Sequence, residues 1–156
     1  MPTDLHDFDQ LTTELERYLD KLSESERNKL ALYLGRKIRK SQSQRITKQQ
    51  NPDGTAYEPR RKGLRERSGH IRRKMFQKLK TIKHLKVERE ANGVSIGFNS
   101  RISHIARIHQ DGLVDRVYIT EHQAIRVRYT QRTLLGFTDA EIEMTADEVR
   151  QHILEK

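Results

Sequence analysis

His104 and His109 are the first candidates for metal chemistry, and they lie five residues apart in Ser103-His104-Ile105-Ala106-Arg107-Ile108-His109. On a helix that step rotates one side chain about 140° from the other, whereas a helical zinc pair needs a four-residue step that keeps both rings on one face. No Glu follows His104 to serve as a general base. The pattern predicts one partly buried and one exposed histidine rather than a metal site.

The other candidates for chemistry fare no better. Glu141, Glu143, Asp147 and Glu148 read as the solvated face of a terminal helix. No pair of carboxylates stands in an apolar setting that would raise a pKa for acid–base work. Gly35-Arg36-Lys37 lacks the glycine spacing and the Ser/Thr of a phosphate loop. No Ser sits in a nucleophile elbow. With no cysteine, disulfides, thiolate catalysis and Cys-type zinc sites are excluded, and assembly in a cytosol is natural. The expectation is a protein that is not an enzyme, with no catalytic, cofactor-binding or metal-binding residues.

Charge is the stronger signal. The 156 residues carry a net charge of +9, unevenly spread. Residues 1–35 hold 4 basic and 8 acidic side chains, residues 36–89 hold 19 and 4, and residues 90–156 hold 8 and 10. The excess positive charge therefore belongs to the middle segment. Such a block binds nucleic acid, meets an acidic partner or solvates a face. A base-reading motif is disfavoured, because Tyr57 and Phe76 are too sparse for stacking on strands and no helix-turn-helix spacing follows residue 23. Non-specific phosphate contact stays open as the alternative function.

These residues need elements to position them. Leu5, Phe8, Leu11, Leu15, Tyr18, Leu19 and Leu22 form one apolar stripe at helical spacing. Ser23-Glu24-Ser25-Glu26 is a capping box, opening a second helix toward Gln49. Its stretch Arg36–Arg45 is almost wholly polar, which predicts a helix that projects from the core or meets a partner. Asn51-Pro52-Asp53-Gly54 ends it as a turn. Ile71, Met75, Phe76 and Leu79 return to helical spacing over 70–80. Residues 85–89 and 94–98 alternate about Ala91-Asn92-Gly93, a hairpin signal. Ile102, Ile105, Ala106 and His109 predict a short helix closed by Gly112. Residues 117–119 and 125–129 read as another strand pair. Thr138-Asp139-Ala140-Glu141 is a second capping box, opening the last helix.

The expected fold class is α+β, with N-terminal helices and a C-terminal helix packed with a small, mainly antiparallel sheet. One domain should span 1–156: a helical region 1–49, a basic loop 50–69, a helix 70–80, a sheet region 84–137 and a C-terminal helix 138–156. No apolar run approaches the roughly 20 residues of a membrane helix, and the acidic N-terminus is no signal peptide.

Three runs carry a resemblance. They are Gln49-Gln50-Asn51-Pro52-Asp53-Gly54-Thr55-Ala56-Tyr57-Glu58-Pro59-Arg60 after a long basic helix, Ile105 to Gly112, and Arg132-Thr133-Leu134-Leu135-Gly136-Phe137-Thr138-Asp139. In this order, over nearly the whole chain, they resemble the tail completion (virion morphogenesis) proteins of contractile-tailed phages. The sequence departs from that pattern at Tyr57, where many relatives carry Trp. It departs again at Thr130-Gln131, where a Pro-Ala pair is expected before Arg132.

The resemblance implies a structural virion protein acting late in tail assembly at the head-proximal end of the tail. It would make tails competent to join DNA-filled heads, as a homo-oligomeric, hexameric ring assembled in the host cytoplasm. Its partners would be other phage tail and head-completion proteins, with transient DNA contact possible in principle and no membrane. On this reading the Asn51–Gly54 turn aims a loop that Tyr57 and Pro59 anchor, and the basic face of 36–74 meets an acidic neighbour. The contact candidates are Arg36, Arg39, Arg45, Asn51, Pro52, Asp53, Gly54, Tyr57, Pro59, Arg72 and Arg73. Gly112, Arg132, Leu135, Gly136 and Phe137 are expected to shape turns. The acidic N-terminal segment is one conceivable mate within a ring. A protein contact is preferred to a channel lining, because dense positive charge around a conduit would hold DNA and slow its exit.

Overall fold

A computed structural model describes residues 12, 13, 16, 17, 20, 22–60, 74–119 and 124–154. The first expected helix lies outside them, except for Thr12, Thr13, Glu16 and Arg17, which are helical, and Leu22, which is buried. Arg72 and Arg73 also lie outside the described residues.

The long helix α1 runs Glu24–Lys48. Its capping box is formed: Ser23 N–H donates to Glu26 Oε2 at 3.0 Å and Glu26 N–H donates to Ser23 Oγ at 3.3 Å. Gln49 caps the other end in the left-handed region at φ 61°. Strands β1 (Leu85–Glu90) and β2 (Gly93–Phe98) pair antiparallel across a two-residue turn, Ala91-Asn92. Helix α2 (Ser100–Asp111) ends at Gly112, whose φ of 64° suits a residue without Cβ. Strands β3 (Val114–Ile119) and β4 (Ala124–Arg128) form a second hairpin with a register shift between Arg116 and Tyr118. Helix α3 (Asp139–Leu154) closes the fold. Its capping box is formed too, with Thr138 N–H donating to Glu141 Oε2 at 2.9 Å and Glu141 N–H to Thr138 Oγ1 at 3.1 Å.

The fold is α+β, and among the described residues the strands are divided between two separate two-stranded sheets instead of one small sheet. Helix α1 is the common support. The β1–β2 hairpin lies on it at Gly35, where an added Cβ would come within 2.8 Å of Val87 and 2.9 Å of Val94. Helix α3 packs on another side, where Leu22, Leu30 and Val149 form a buried cluster joined by Leu34 and Ile153. A second cluster of Tyr57, Met75, Ala106 and Leu134, with Phe76, Leu79 and Phe98 against it, ties the loops to α2.

The helix expected over 70–80 is corrected. Its described part, 74–80, runs as successive turns, and Phe76 sits at φ 62°. The backbone of Met75 finds its partners in a side chain instead. Gln49 Oε1 accepts from Met75 N–H at 2.6 Å, and Gln49 Nε2 donates to the Met75 carbonyl at 3.0 Å. Phe76 then meets Tyr57 and His109 edge-on, with ring centroids 5.8 and 4.8 Å away. The apolar spacing served a cluster, not a helix face.

Candidate functional site

The three runs that carry the resemblance meet in one place. Asn51 Oδ1 accepts from Thr133 N–H at 2.8 Å, and Tyr57 Oη donates to the Thr133 carbonyl at 3.4 Å. Gln110 Oε1 accepts from the N–H groups of Leu134 and Leu135 at 2.8 and 3.0 Å, while its Nε2 donates to the Leu135 carbonyl at 2.8 Å. Arg132 N–H donates to the His109 carbonyl at 2.7 Å. The segment 132–136 has no ladder of its own. Side chains from the turn, from α2 and from α1 satisfy its backbone, as buried polar groups require.

Two arginines complete this clasp from inside. Arg132 is buried, and its guanidinium donates to the carbonyls of Glu58 at 2.7 Å, Pro59 at 3.0 Å and Thr130 at 3.3 Å. Arg45 is buried too and donates to the carbonyls of Thr133, Leu134 and Gly136 and to Gln42 Oε1. Burial lowers the pKa of both guanidiniums from the usual value; Tyr57 and Glu141 oppose this at Arg45, and Glu58 opposes it at Arg132. The Tyr57 hydroxyl is pushed up to about 12 by burial, against the opposing pull of Arg45. His109 falls to about 4, first through burial and then through the charges of Arg132 and Arg60, so its ring is neutral at pH 7. That ring packs edge-on between Phe76 and Tyr129.

The expected contact residues thus divide. Arg45 and Tyr57 face inward, which corrects the picture of Arg36–Arg45 as a projecting polar stretch: Ile38, Gln42, Arg45 and Ile46 are among the buried positions of α1. Asn51 is half-buried in the clasp. Pro52 packs on Gly136, where an added Cβ would lie 2.7 Å from its ring. Asp53 accepts from Thr55 N–H at 2.9 Å and Thr55 Oγ1 at 2.6 Å, which holds its carboxyl below the usual range. Gly54, at φ 84°, completes the turn. Pro59 is exposed, as is Arg36, and Arg39 is half-exposed. With Lys29, Tyr33 and Lys40, Arg36 forms an outward ridge along α1. Of the turn candidates, Gly112 is buried, Leu135 and Gly136 are half-buried in the clasp, and Phe137 is 64% exposed.

The carboxylate reading also needs correction. Glu141 is buried rather than solvated, since it caps α3 while Gln42 Nε2 donates to its Oε1 at 3.0 Å. Glu148 pairs with Lys37, while Glu143 and Asp147 are exposed. His104 is exposed and lies 3.6 Å from Asp115. Among the described residues no group of three or more His, Asp or Glu is placed to hold a metal ion, and no helix is long and apolar enough to cross a membrane.

Sequence reasoning missed Gln42 and Gln110. Gln42 did leave a signal, because it falls at four-residue spacing between Ile38 and Ile46 on the inward line of α1. A polar residue on an apolar line implies a buried partner. Nothing in the sequence marked Gln110 apart from its place in the second run.

The chain is 31% identical to the tail completion protein S of Escherichia phage P2 over 151 residues, which is 96% of this chain and 99% of that protein. No solved structure matches the chain. Residues 6–154 match the phage virion morphogenesis family, so the clasp is built from segments within that match, and the chain belongs to the phage virion morphogenesis family.

Proposed function

We propose that the chain is a structural tail completion protein. It acts late in tail assembly, at the head-proximal end of the tail, and makes tails competent to join filled heads. It works as a ring, hexameric by the family resemblance, and performs no catalytic step. It is assembled in the host cytoplasm and remains in the virion tail.

The observation that carries this reading is the end-to-end similarity to the phage P2 tail completion protein, with nearly all of both chains aligned. The structure supports it physically. Asn51 and Tyr57 of the first run, Gln110 of the second and Arg132 of the third go into an internal clasp that holds the 132–136 segment against the turn and α2. A rigid body of that kind loses little conformational freedom when it docks. Its exposed side chains are left for contact, including the ridge of Lys29, Arg36 and Lys40. An acidic face on another tail or head-completion protein is the complement this ridge calls for.

An extract lacking this protein, but holding filled heads and unattached tails, provides the test. Addition of the purified chain should yield infectious particles, with the chain co-purifying on tails. If no particles form and the chain binds any DNA with a steep salt dependence, the nucleic-acid reading replaces this one.

A further inference from the structure

The β3–β4 hairpin carries an arrangement that the described residues leave uncompensated. Arg116 and Arg126 stand directly opposite each other across the strands, and Arg128 stands opposite Val114. Residues 126 and 128 share a face by strand alternation, and 116 joins them through its pairing. All three arginines are exposed. Among the described residues none of them has an ion-pair partner. Asp115 belongs to the opposite face, where it lies 3.6 Å from His104 of α2. Like charges directly opposite on a sheet destabilise it, so this face calls for an external anion.

The matching charge lies elsewhere on the same molecule. Asp139, Glu143 and Asp147 recur every fourth residue along α3, and all are exposed. Their one ion pair among the described residues is Asp147 with Arg150, at 3.0 Å. Each step along this ridge is about 6 Å. Arg126 and Arg128 lie about 7 Å apart along their strand. Two carboxylates one turn apart therefore fit two guanidiniums two residues apart. Among the described residues the closely packed pairs of elements do not include the β3–β4 hairpin with α3, which leaves both patches open to a second chain.

We infer that the arginine face of the β3–β4 hairpin docks on the acidic ridge of α3 of a second copy of this chain. Complementary patches on different elements make a heterologous contact, which closes into a ring when the rotation per subunit allows. The exposure of Val114 within the arginine face, at 49%, favours a protein partner over nucleic acid. Arginine beside exposed aliphatic surface is the composition of a protein interface, and its planar fork suits carboxylates. The pairing rests on the ring reading above and adds the two surfaces that make it.

Charge reversal on the full chain tests it. Arg126→Glu, Glu143→Arg and the double variant are compared with the wild type by sedimentation at low salt, with circular dichroism as the folding control. The wild type should be oligomeric, each single variant should fall to the mass of one chain, and the double variant should recover the oligomer. An oligomer unaffected by Arg126→Glu overturns the hairpin contact while leaving the ring intact. Loss in both single variants without recovery in the double overturns their pairing. A wild type that is monomeric in solution and when cross-linked on tails overturns the ring and the pairing together. DNA binding that Arg126→Glu abolishes, with the oligomer unchanged, assigns the face to nucleic acid.

Discussion

Gln110 and Leu135 exchange two hydrogen bonds: Gln110 Nε2 donates to the Leu135 carbonyl at 2.8 Å, and Leu135 N–H donates to Gln110 Oε1 at 3.0 Å. A helix side chain here does for a loop what a neighbouring strand does for a sheet. Because Gln110 also accepts from Leu134 N–H, one amide satisfies three backbone groups. Gln110→Leu keeps the volume and removes all three bonds. Each buried group left without a partner costs about 1–3 kcal/mol. The expected total loss is about 2–4 kcal/mol after partial rehydration. Urea unfolding measures it, and an unchanged midpoint would show that 132–136 is held by other contacts.

Arg132 should resist its conservative replacement. Its fork reaches the carbonyls of Glu58, Pro59 and Thr130 together, which a single ammonium cannot reproduce. Arg132→Lys should loosen residues 58–60 by about 1–2 kcal/mol. That raises the open fraction about 5- to 30-fold. Limited trypsin digestion reads this directly as faster cleavage after Arg60, and an unchanged rate would refute the anchoring role.

His109 gives the fold an acid sensitivity with a defined window. Its imidazole titrates near 6.5 when unfolded and at about 4 in the fold. Above 6.5 both states are neutral and the contribution is complete. Between 6.5 and 4 the unfolded state takes up a proton that the folded state refuses, so stability drains as pH falls. Below about 4 there is nothing further to lose from this group. The full effect is about 3 kcal/mol. His109→Phe removes the titration and keeps the edge-on ring contacts, so its stability should change much less between pH 6.5 and 4. Asp53 and Glu148, whose carboxyls are held below the usual range by Thr55 and Lys37 respectively, lose their contributions at lower pH. Parallel pH curves for wild type and variant would contradict the assignment to His109.

Gly35 is a packing requirement in mid-helix. Replacing it with Ala gains about 1 kcal/mol of helix propensity. The new methyl would meet Val87 and Val94 at 2.8 and 2.9 Å, and β-branched side chains yield poorly. Overpacking costs about 1–3 kcal/mol. The net expectation is a loss of about 1 kcal/mol, with the β1–β2 hairpin displaced from α1. Thermal melting and amide exchange at residues 85–98 test it, and a raised melting temperature would mean that the hairpin accommodates the methyl freely.

The sequence by itself determined the elements whose causes are local. Both capping boxes, Ser23–Glu26 and Thr138–Glu141, need only four residues to form, and both are present. The turn at Asn51–Gly54, the Ala91-Asn92 reversal and the Gly112 cap likewise follow from torsional preferences of the residues themselves. Tertiary structure decided the fate of the polar residues. Arg45 and Glu141 look solvated in a helical pattern, yet the first meets the carbonyls of a loop nearly ninety positions away and the second meets Gln42. Such partners come together only after α1, α2 and the 132–136 segment have packed. In the described part of the helix expected at 70–80, residues 74–80, the chain makes turns instead, with Gln49 bonding both backbone groups of Met75 and Phe76 meeting two rings edge-on. The arginine face of the second hairpin was hidden in a segment whose summed charge is slightly negative, because strand pairing, not sequence proximity, sets Arg116 against Arg126.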